Sequence, residues 1–387
     1  MQSITDRISY VGVDDDNIDL FEGQYPVPSG ISYNSYLIKD SSIAIVDSVD
    51  ARRSSEWLAK IEMALDGRQP SFLIVQHVEP DHSGSIQKFL ELYPDVKIVA
   101  SAKALSMLSN FFEDVDFSKR SHVVKDGDTL CIGESTLLFL SAPMVHWPEV
   151  MFTLDITDKV LFSADAFGSF ATFNSVEAWD NEARRYYCNI VGKYGVQVQA
   201  VMKKLLNLKF DIIAPLHGPL LTDNLGHYWN LYDKWSRYEP ETKGTLVAYA
   251  SIYGGTAEAA RRLAAMIDNK PDSGETALID LCRHDVSYAV AEAFRLSRMA
   301  LCSVTYDSTL YPAMYNFLHH LEMKNLQGRK VGLVQNGSWG PAAARVMTDM
   351  LGHMKNMEVV EPVVTLKGRM HHSDKEELAR LADSLLE

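Results

Sequence analysis

The sequence predicts an α/β protein in which a layered α/β sandwich is followed by a doubly wound parallel sheet. In the first half, short apolar runs bounded by turns alternate with a few helical stretches, which is typical of sheets layered with helices. In the second half, strand-like and helical segments alternate regularly, as in the βαβ units of a parallel sheet. A polar, proline-bearing stretch at 236–244 separates the two patterns, so the predicted domains are 1–244 and 245–387.

Hydrophobic periodicity locates the elements of the first half. Helical periodicity covers about 52–64, 83–92, 102–112 and 176–206. The strand-like runs are Tyr36–Ile38, Ile43–Val46, Phe72–Val75, Val96–Ala100, Thr136–Leu140, Val150–Asp155 and Val160–Ser163.

The second half has five strand-like runs with helical segments between them. These runs are Thr245–Tyr249, Thr276–Asp280, Met299–Ser303, Lys330–Val334 and Val359–Val363. Ligands of such sheets bind beyond the carboxyl ends of the strands, so the loops after these runs are the first places to look for a cofactor.

Composition narrows the class of protein. The chain has 387 residues, a formal charge of −14 and 47% apolar residues, which is typical of a globular chain with sizeable cores. Its acidic balance argues against nucleic-acid binding. Neither a signal peptide nor a membrane-spanning run is predicted. The four cysteines form no C-x-x-C pair, which excludes a rubredoxin-type iron site and favours a reducing cytoplasm.

The first candidate site follows the strand at Phe72–Val75. Within six residues, the segment His77-Val-Glu79-Pro-Asp81-His82 offers four side chains with metal-ligand chemistry. Glu79 and Asp81 follow His77 at steps of two, so an extended backbone would point all three in one direction. Four ligands at one junction between a strand and a helix are enough to serve two metal ions.

Three later residues are candidate partners because each follows a strand-like run. They are His146 in APMVHW, Asp165 in FSADAF and His217 in APLHG. The complete set has three carboxylates and four imidazoles. A zinc hydrolase uses mainly neutral imidazoles, whereas anionic oxygen combined with imidazole suits iron, so redox chemistry is favoured over hydrolysis.

The second candidate site follows the strand at Thr245–Tyr249. The loop Ser251, Ile252, Tyr253, Gly254, Gly255 and Thr256 leads into a helical segment. Its glycines let the backbone approach an anion, and the free N–H groups of a helix start favour a phosphate there. The loop matches neither the dinucleotide-binding fingerprint nor the P-loop.

Both sites resemble those of a known family. The series H-x-E-x-D-H, H, D and H is similar to the metallo-β-lactamase superfamily. With Glu79 and the segments APMVHWPEVM, LFSADAFGSF, RRYYCNI and IAPLHGP, it resembles the flavodiiron proteins. The loop at 251–256 resembles the phosphate loop of flavodoxins, with Tyr253 where threonine is usual. The resemblance spans roughly residues 1–385.

The resemblance implies a metallo-β-lactamase-like αββα domain with two iron ions and a flavodoxin-like domain with FMN. His77, Glu79 and His146 would bind one iron, and Asp81, His82 and His217 the other. Asp165 would bridge the two ions. These ligands would form the catalytic centre.

The resemblance also implies which further loops contact the flavin. They are Ser303, Val304, Thr305, Tyr306 and Asp307, and then Asn336, Gly337, Ser338, Trp339 and Gly340. The chain departs from the family pattern at Val304 in place of proline, at Asp307 in place of asparagine, and in the order of Ser338 and Trp339. An aspartate beside the ring would disfavour a reduced anionic flavin.

The activity implied is the reduction of O2 to water, of NO to N2O, or of both, with electrons relayed by FMN. A separate rubredoxin-like protein is the expected electron donor, with reduced F420 as the alternative. The family forms head-to-tail dimers or dimers of dimers. Two other functions stay open: a metal-dependent hydrolase fused to a flavodoxin domain, and an electron-transfer or redox-sensing flavoprotein.

Overall fold

The structure, a computed structural model, describes residues 2–175 and 178–387. It divides into two compact units. The first comprises residues up to Tyr187 together with Val196–Asn230, and the second comprises Cys188–Gly195 together with Leu231–Glu387. The domain limits 1–244 and 245–387 remain a prediction.

Short strands predominate as far as residue 214. They are β1 (Gln2–Ser3), β2 (Ile8–Tyr10), β3 (Val13–Asp15), β4 (Leu20–Phe21), β5 (Tyr25–Pro26), β6 (Ile31–Tyr33), β7 (Tyr36–Lys39), β8 (Ile43–Val46), β9 (Phe72–Ile74), β10 (Lys97–Ala100), β11 (Ser121–Val123), β12 (Thr129–Cys131), β13 (Thr136–Ser141), β14 (Met151–Asp155), β15 (Val160–Phe162) and β16 (Ile212–Ala214).

Helices lie between and after these strands. They are α1 (Ser54–Leu65), α2 (Pro80–Ser83), α3 (Ile86–Leu92), α4 (Ala102–Phe111), α5 (Trp179–Tyr186), α6 (Gly195–Leu205) and α7 (Leu225–Ser236). Short 3₁₀ turns occur at Ala51–Arg53, Phe117–Lys119 and Gly192–Tyr194, and a π-helical turn at Tyr187–Val191.

Two sheets form the core of the first unit. One has the strand order β1-β2-β7-β8-β9-β10-β11, and the other has the order β12-β13-β14-β15-β16. Tyr36 and Val46 of the first sheet share a buried apolar cluster with Phe139 and Phe162 of the second. The two sheets therefore pack face to face, as the predicted sandwich requires.

Strand direction decides where the sandwich presents its loops. β8 and β9 run parallel, so the loops that begin after Val46 and Ile74 leave the first sheet at the same edge. β15 and β16 are also parallel, so the segments after Phe162 and Ala214 leave the second sheet together. Three of the four segments with predicted ligands begin at these strand ends.

The second unit contains the predicted parallel sheet. Its strands are β17 (Thr242–Ala250), β18 (Glu275–Asp280), β19 (Leu296–Tyr306), β20 (Thr309–Leu310), β21 (Lys330–Asn336), β22 (Glu358–Val359) and β23 (Val364–Leu366). Its helices are α8 (Gly255–Asp268), α9 (Val286–Arg295), α10 (Pro312–Met323), α11 (Ala343–Gly352) and α12 (Asp374–Leu386). The main order is β18-β17-β19-β21-β22, all parallel, which is the flavodoxin-like doubly wound order.

The structure corrects two predicted elements. The strand predicted at Val359–Val363 is split into β22 and β23, with Pro362, which has no N–H to donate, between them. The helix predicted over 176–206 consists, in its described part, of α5 and α6 with a π-helical and a 3₁₀ turn between them. Val176 and Glu177, at its predicted start, lie outside the described residues.

Among the described residues, no helix has the length and apolar character that crossing a bilayer requires.

Arg329 is an unusual core residue of the second unit because its guanidinium is almost completely buried. It donates hydrogen bonds to the backbone carbonyls of Ala293 at 3.1 Å, Phe294 at 2.8 Å and Tyr238 at 2.8 Å. Burial lowers the pKa of Arg329 to about 10. The side chain thus satisfies carbonyl oxygens that would otherwise be buried without a donor.

We expect Arg329→Met to destabilise the protein by about 3 kcal/mol or more, because it leaves several buried carbonyls unpaired. Thermal and urea unfolding of the purified full chain measure this loss. The matched control is Arg345→Met, since Arg345 is exposed on α11 and should change stability by no more than about 0.5 kcal/mol. Equal effects of the two substitutions would contradict this role of Arg329.

Candidate metal centre and flavin loops

The first ligand segment begins directly after β9 and ends in α2. His77 and His82 are completely buried, and Glu79 and Asp81 are nearly so. Pro80 occupies the first turn of α2, so Asp81 and His82 are helical rather than extended. The expectation that His77, Glu79 and Asp81 all point in one direction from an extended segment is therefore wrong. The helical turn directs Asp81 toward a different group of ligands.

The other three predicted ligands come from the second sheet. His146 lies in the loop between β13 and β14, Asp165 follows β15, and His217 follows β16. All three are buried. The structure thus brings all seven predicted residues into one cluster, although they span 141 positions of the sequence from His77 to His217, counted inclusively.

The cluster consists of two groups of ligand atoms, which we call position one and position two. Position one contains His77, Glu79, His146 and Asp165. His146 Nε2 lies 3.1 Å from Glu79 Oε2 and 3.0 Å from Asp165 Oδ2. His77 Nε2 lies 3.2 Å from Glu79 Oε2. Two imidazole nitrogens and two carboxylates therefore converge on one point.

Position two contains Asp81, His82 and His217. Asp81 Oδ2 lies 3.3 Å from Nε2 of each histidine, and the two Nε2 atoms are 3.0 Å apart. The other oxygen of Asp165, Oδ1, lies 3.2 Å from His82 Nε2. Asp165 therefore faces position one with Oδ2 and position two with Oδ1, which is the arrangement of a carboxylate that bridges two cations.

The buried polar atoms of the cluster fit a metal pair. Both carboxylate oxygens of Asp81 and Oδ1 of Asp165 are buried and accept no hydrogen bond from the described residues, although His82 Nε2 lies 3.3 Å from Asp81 Oδ2 and 3.2 Å from Asp165 Oδ1. Unpartnered carboxylate oxygens are costly in a protein interior unless a cation compensates them. Seven oxygen and nitrogen ligands arranged in two groups suit two ions such as iron.

The carboxyl groups of the cluster differ in the direction in which their pKa values are shifted. Burial by itself raises the pKa of Asp165, but the neighbouring histidines His77 and His82 lower it well below the ordinary value. Glu79 behaves in the same way: His146 and His77 outweigh burial and lower its pKa. For Asp81, burial prevails and raises the pKa to about 7. Without metal, protons thus take part of the role that cations would have.

Three supporting contacts were not recognised from the sequence. Glu149 Oε1 lies 2.8 Å from His77 Nδ1. Asp47 accepts hydrogen bonds from the backbone N–H groups of Gln76 at 2.8 Å and His77 at 3.3 Å. The backbone carbonyl of Ser32 lies 2.7 Å from His217 Nδ1. Position after a strand could have suggested Asp47, but no local pattern connects Glu149 or Ser32 with a histidine far away in sequence.

A cavity of about 450 Å³ opens onto the cluster. Glu79 and Asp81 form part of its wall, and so do Phe21, Glu22 and Tyr33. The ring of Phe21 meets the His217 ring edge to face, with centroids 5.2 Å apart. The cavity therefore touches one carboxylate of each position and an aromatic ring that packs against His217.

The three predicted flavin loops meet in the second unit around a cavity of about 480 Å³. All predicted residues line it except Gly254 and Ser303, and it also includes Ser308 and Gly368. Its size is within the usual range for a cofactor site. Gly254 sits at the N-terminus of α8 with φ of +90°, a conformation that favours glycine.

Gly368, which the sequence did not single out, closes one side of this cavity. Its N–H donates to Asn336 Oδ1 at 2.9 Å, and its carbonyl accepts from Asn336 Nδ2 at 2.8 Å. A Cβ on Gly255 would lie 2.3 Å from the Gly368 carbonyl oxygen, so only glycine fits there. The close backbone approach and the start of α8 fit an anionic phosphate group.

Comparison with known proteins places both sites in a family context. Residues 31–218 match the family model described as ODP family beta lactamase. An uncharacterised protein of Methanocaldococcus jannaschii is 31% identical over 82% of this chain and 81% of its own length. A nitric oxide reductase of Moorella thermoacetica is 29% identical over 94% of this chain and 93% of its own.

The fold has a solved counterpart over its whole length. The rubredoxin oxygen:oxidoreductase of Desulfovibrio gigas superposes with a TM-score of 0.92 at 26% identity, covering 100% of this chain and 97% of that one.

We expect Asp165→Ala to abolish binding of both metal ions, because Asp165 contributes an oxygen to each position. His217→Ala removes a ligand from position two alone and should leave about one ion per chain. Metal content after anaerobic reconstitution with Fe²⁺ and desalting measures the difference, with Asp211→Asn on the surface as the control. Retention of two ions by Asp165→Ala would contradict the bridging geometry.

The metal-free chain should lose stability between pH 7 and 9. Burial lowers the pKa of His146, but Asp165 and Glu79 outweigh burial and raise it from 6.5 to about 9. The folded chain then holds a proton that the unfolded chain releases near 6.5, so this stabilisation is complete below 6.5 and lost toward pH 9. The lowered pKa of His217 has the opposite sign but acts below 6.5.

Thermal unfolding of metal-free protein at pH 7, 8 and 9 measures this loss. The His146→Gln variant should show a shallower decrease, and bound iron should counteract the decrease because metal ions displace ligand protons. A melting temperature that rises from pH 7 to 9 in the metal-free chain would refute the prediction.

Proposed function

The chain belongs to the flavodiiron protein family, and on this basis we propose that it reduces O2, NO or both. The proteins that it resembles include the nitric oxide reductase of Moorella and the rubredoxin oxygen:oxidoreductase of Desulfovibrio. Its cofactors are FMN and two iron ions. Reduction of O2 to two waters takes four electrons and four protons, and reduction of two NO to N2O and water takes two of each. Among the chemistries that a β-lactamase-like fold supports, the protein is thus an oxidoreductase rather than a hydrolase.

One observation carries this proposal: three carboxylates and four histidines converge in two groups, and Asp165 of the first group lies 3.2 Å from His82 of the second. Position one has two carboxylates, Glu79 and Asp165, beside its histidines. Such anionic oxygen ligands stabilise oxidised iron, whereas a zinc hydrolase relies mainly on neutral imidazoles. When bound, the iron pair and FMN would supply the electron transfer that no side chain of the chain can provide.

The residues of the chain would bind the two iron ions, orient the ligand side chains and enclose the site. His77, Glu79 and His146 would hold one iron, and Asp81, His82 and His217 the other. Asp165 keeps the two positions together, and Asp47 fixes the backbone at His77. Phe21 and Tyr33 place aromatic surface around His217, which limits access of bulk water.

The flavin loops serve the second cofactor. The backbone at Gly254 and Gly255 and the start of α8 would receive the FMN phosphate. The segments 303–307 and 336–340 would flank the ring, and Asp307 would disfavour an anionic reduced ring by charge repulsion. These contacts are proposals, as are the individual metal ligands.

The electron donor is proposed to be a separate rubredoxin-like protein, with reduced F420 as the alternative. The four cysteines of the sequence are not paired as a rubredoxin site requires. We also propose a cytoplasmic location and a head-to-tail homodimer or dimer of dimers.

The test uses full-length protein reconstituted anaerobically with Fe²⁺ and FMN and reduced through a rubredoxin system. Parallel electrode measurements should show consumption of O2, NO or both. We expect His146→Ala to lower this consumption by about 100-fold or more, since even groups that only support a metal ligand contribute 10–100-fold. Anaerobic reduction of FMN should be unchanged in the variant, and Asp211→Asn is the control.

Two outcomes would favour the other functions. Protein purified with two zinc ions that consumes neither gas after reconstitution with iron would support the hydrolase. Gas consumption that is unchanged in His146→Ala would indicate a flavin reaction without the metal cluster, as expected for an electron carrier or sensor.

A further inference from the structure

The histidines of the two metal positions differ in the groups that contact their Nδ1 atoms. In position one, His77 turns Nε2 toward Glu79 and Nδ1 toward Glu149. The Glu149 carboxylate is completely buried, and its Oε1 lies 2.8 Å from His77 Nδ1. The same oxygen accepts the backbone N–H of Val78 at 3.0 Å. A fixed carboxylate thus stands directly behind a ligand of position one.

In position two, no carboxylate of the described residues is hydrogen-bonded to Nδ1 of either histidine, although the buried carboxylate of Asp47 is close enough to His82 to interact with its charge. His217 Nδ1 lies 2.7 Å from the backbone carbonyl of Ser32, a neutral acceptor. His82 Nδ1 is buried, and over residues 2–175 and 178–387 it has no hydrogen-bond partner. The two positions therefore share Asp165 and have one further carboxylate each, Glu79 or Asp81, but among the described residues only position one has a carboxylate at Nδ1 of a ligand histidine.

This asymmetry has an electronic consequence. A carboxylate at Nδ1 keeps the proton on that nitrogen, so Nε2 presents its lone pair to the metal, and it makes the ring a stronger donor. Glu149 also adds a negative charge close to position one in a buried environment, where charge interactions are weakly screened. Stronger donation and more negative charge both favour the higher oxidation state of a bound ion.

We propose that Glu149 is a positioning residue that acts through His77 to make the two metal positions unequal, so that position one retains the ferric state longer. Of two electrons delivered one at a time to the oxidised pair, the first is accepted at position two and the second at position one. Reduced FMN, as FMNH2, supplies both electrons and releases two protons. The proposal rests on the diiron function proposed above.

The decisive experiment is a reductive titration of the full-length protein loaded with ⁵⁷Fe, followed by EPR and Mössbauer spectroscopy. Wild-type protein should show two separate one-electron steps and a half-reduced state with the ferric ion localised. Glu149→Gln keeps the shape of the side chain and removes its charge. The substitution should bring the potentials of the two reduction steps closer together. It should thereby lower the equilibrium constant for forming the half-reduced state by about 10-fold.

The matched control is Asp155→Asn, which removes another buried carboxylate charge. Asp155 Oδ1 accepts the backbone N–H groups of Thr157 at 2.9 Å and Asp158 at 3.0 Å, so these hydrogen bonds are to groups outside the cluster. This variant should leave both reduction steps in place. The proposal is overturned if the separation between the two reduction potentials decreases equally in Asp155→Asn and Glu149→Gln. It is also overturned if Glu149→Gln binds two irons and the separation does not decrease.

Two further results remain informative. If Glu149→Gln binds fewer than two irons, Glu149→Asp, which keeps the charge, decides: two separate reduction steps, as in wild type or somewhat closer together, support the proposal, and a single step with two irons bound overturns it. If wild-type protein itself fails to bind two irons, the diiron function fails. If it binds two irons that are reduced together in one step, only the inequality fails.

Discussion

The first unit depends on a buried charge interaction centred on Asp165. Its two oxygens face different groups of histidines, 3.0 Å from His146 Nε2 on one side and 3.2 Å from His82 Nε2 on the other. Carboxylates buried this closely together are stable only when protons or cations compensate them. The pKa values of the cluster show the competition, with Asp165 lowered by its histidines and Asp81 raised by burial. The packing of the two sheets around the cluster holds these charged groups together despite the free-energy cost of burying them.

Two sheets share this task. The loops after β8 and β9 supply Asp47 and the segment from His77, and those after β15 and β16 supply Asp165 and His217. Because each pair of strands is parallel, consecutive loops emerge at one edge, and the packed sheets bring the two edges together. Neither sheet by itself contains a complete metal position, since each position draws ligands from both. Metal binding should therefore stabilise the packing of the sandwich as well as the site.

The first flavin loop, residues 251–256, contains no lysine or arginine to pair with the phosphate of an anionic cofactor. The start of α8 offers free N–H groups, and Gly255 lets the chain at Gly368 approach closely. The sheet order places the loops after β17 and β19 side by side, at the point where helices pass to opposite faces. Most of the cavity wall is therefore formed by loops at strand ends, which is why it could be anticipated.

The sequence by itself indicated the architecture of both halves and the seven clustered residues, because four of them form one motif after a strand and the other three each follow a strand-like run. The flavin loops were indicated mainly by their resemblance to those of flavodoxins, since glycines and hydroxyls at a helix start are by themselves equally consistent with an ordinary capped turn. The family resemblance already implied how the ligands divide between two positions, and the tertiary structure supplied the physical reason: the helical turn at Pro80–Ser83 directs Asp81 away from Glu79. The tertiary structure alone placed Glu149 behind His77, across 72 positions of the chain, and Ser32 behind His217. Contacts of this kind depend on how two sheets pack, and local spacing contains no information about them.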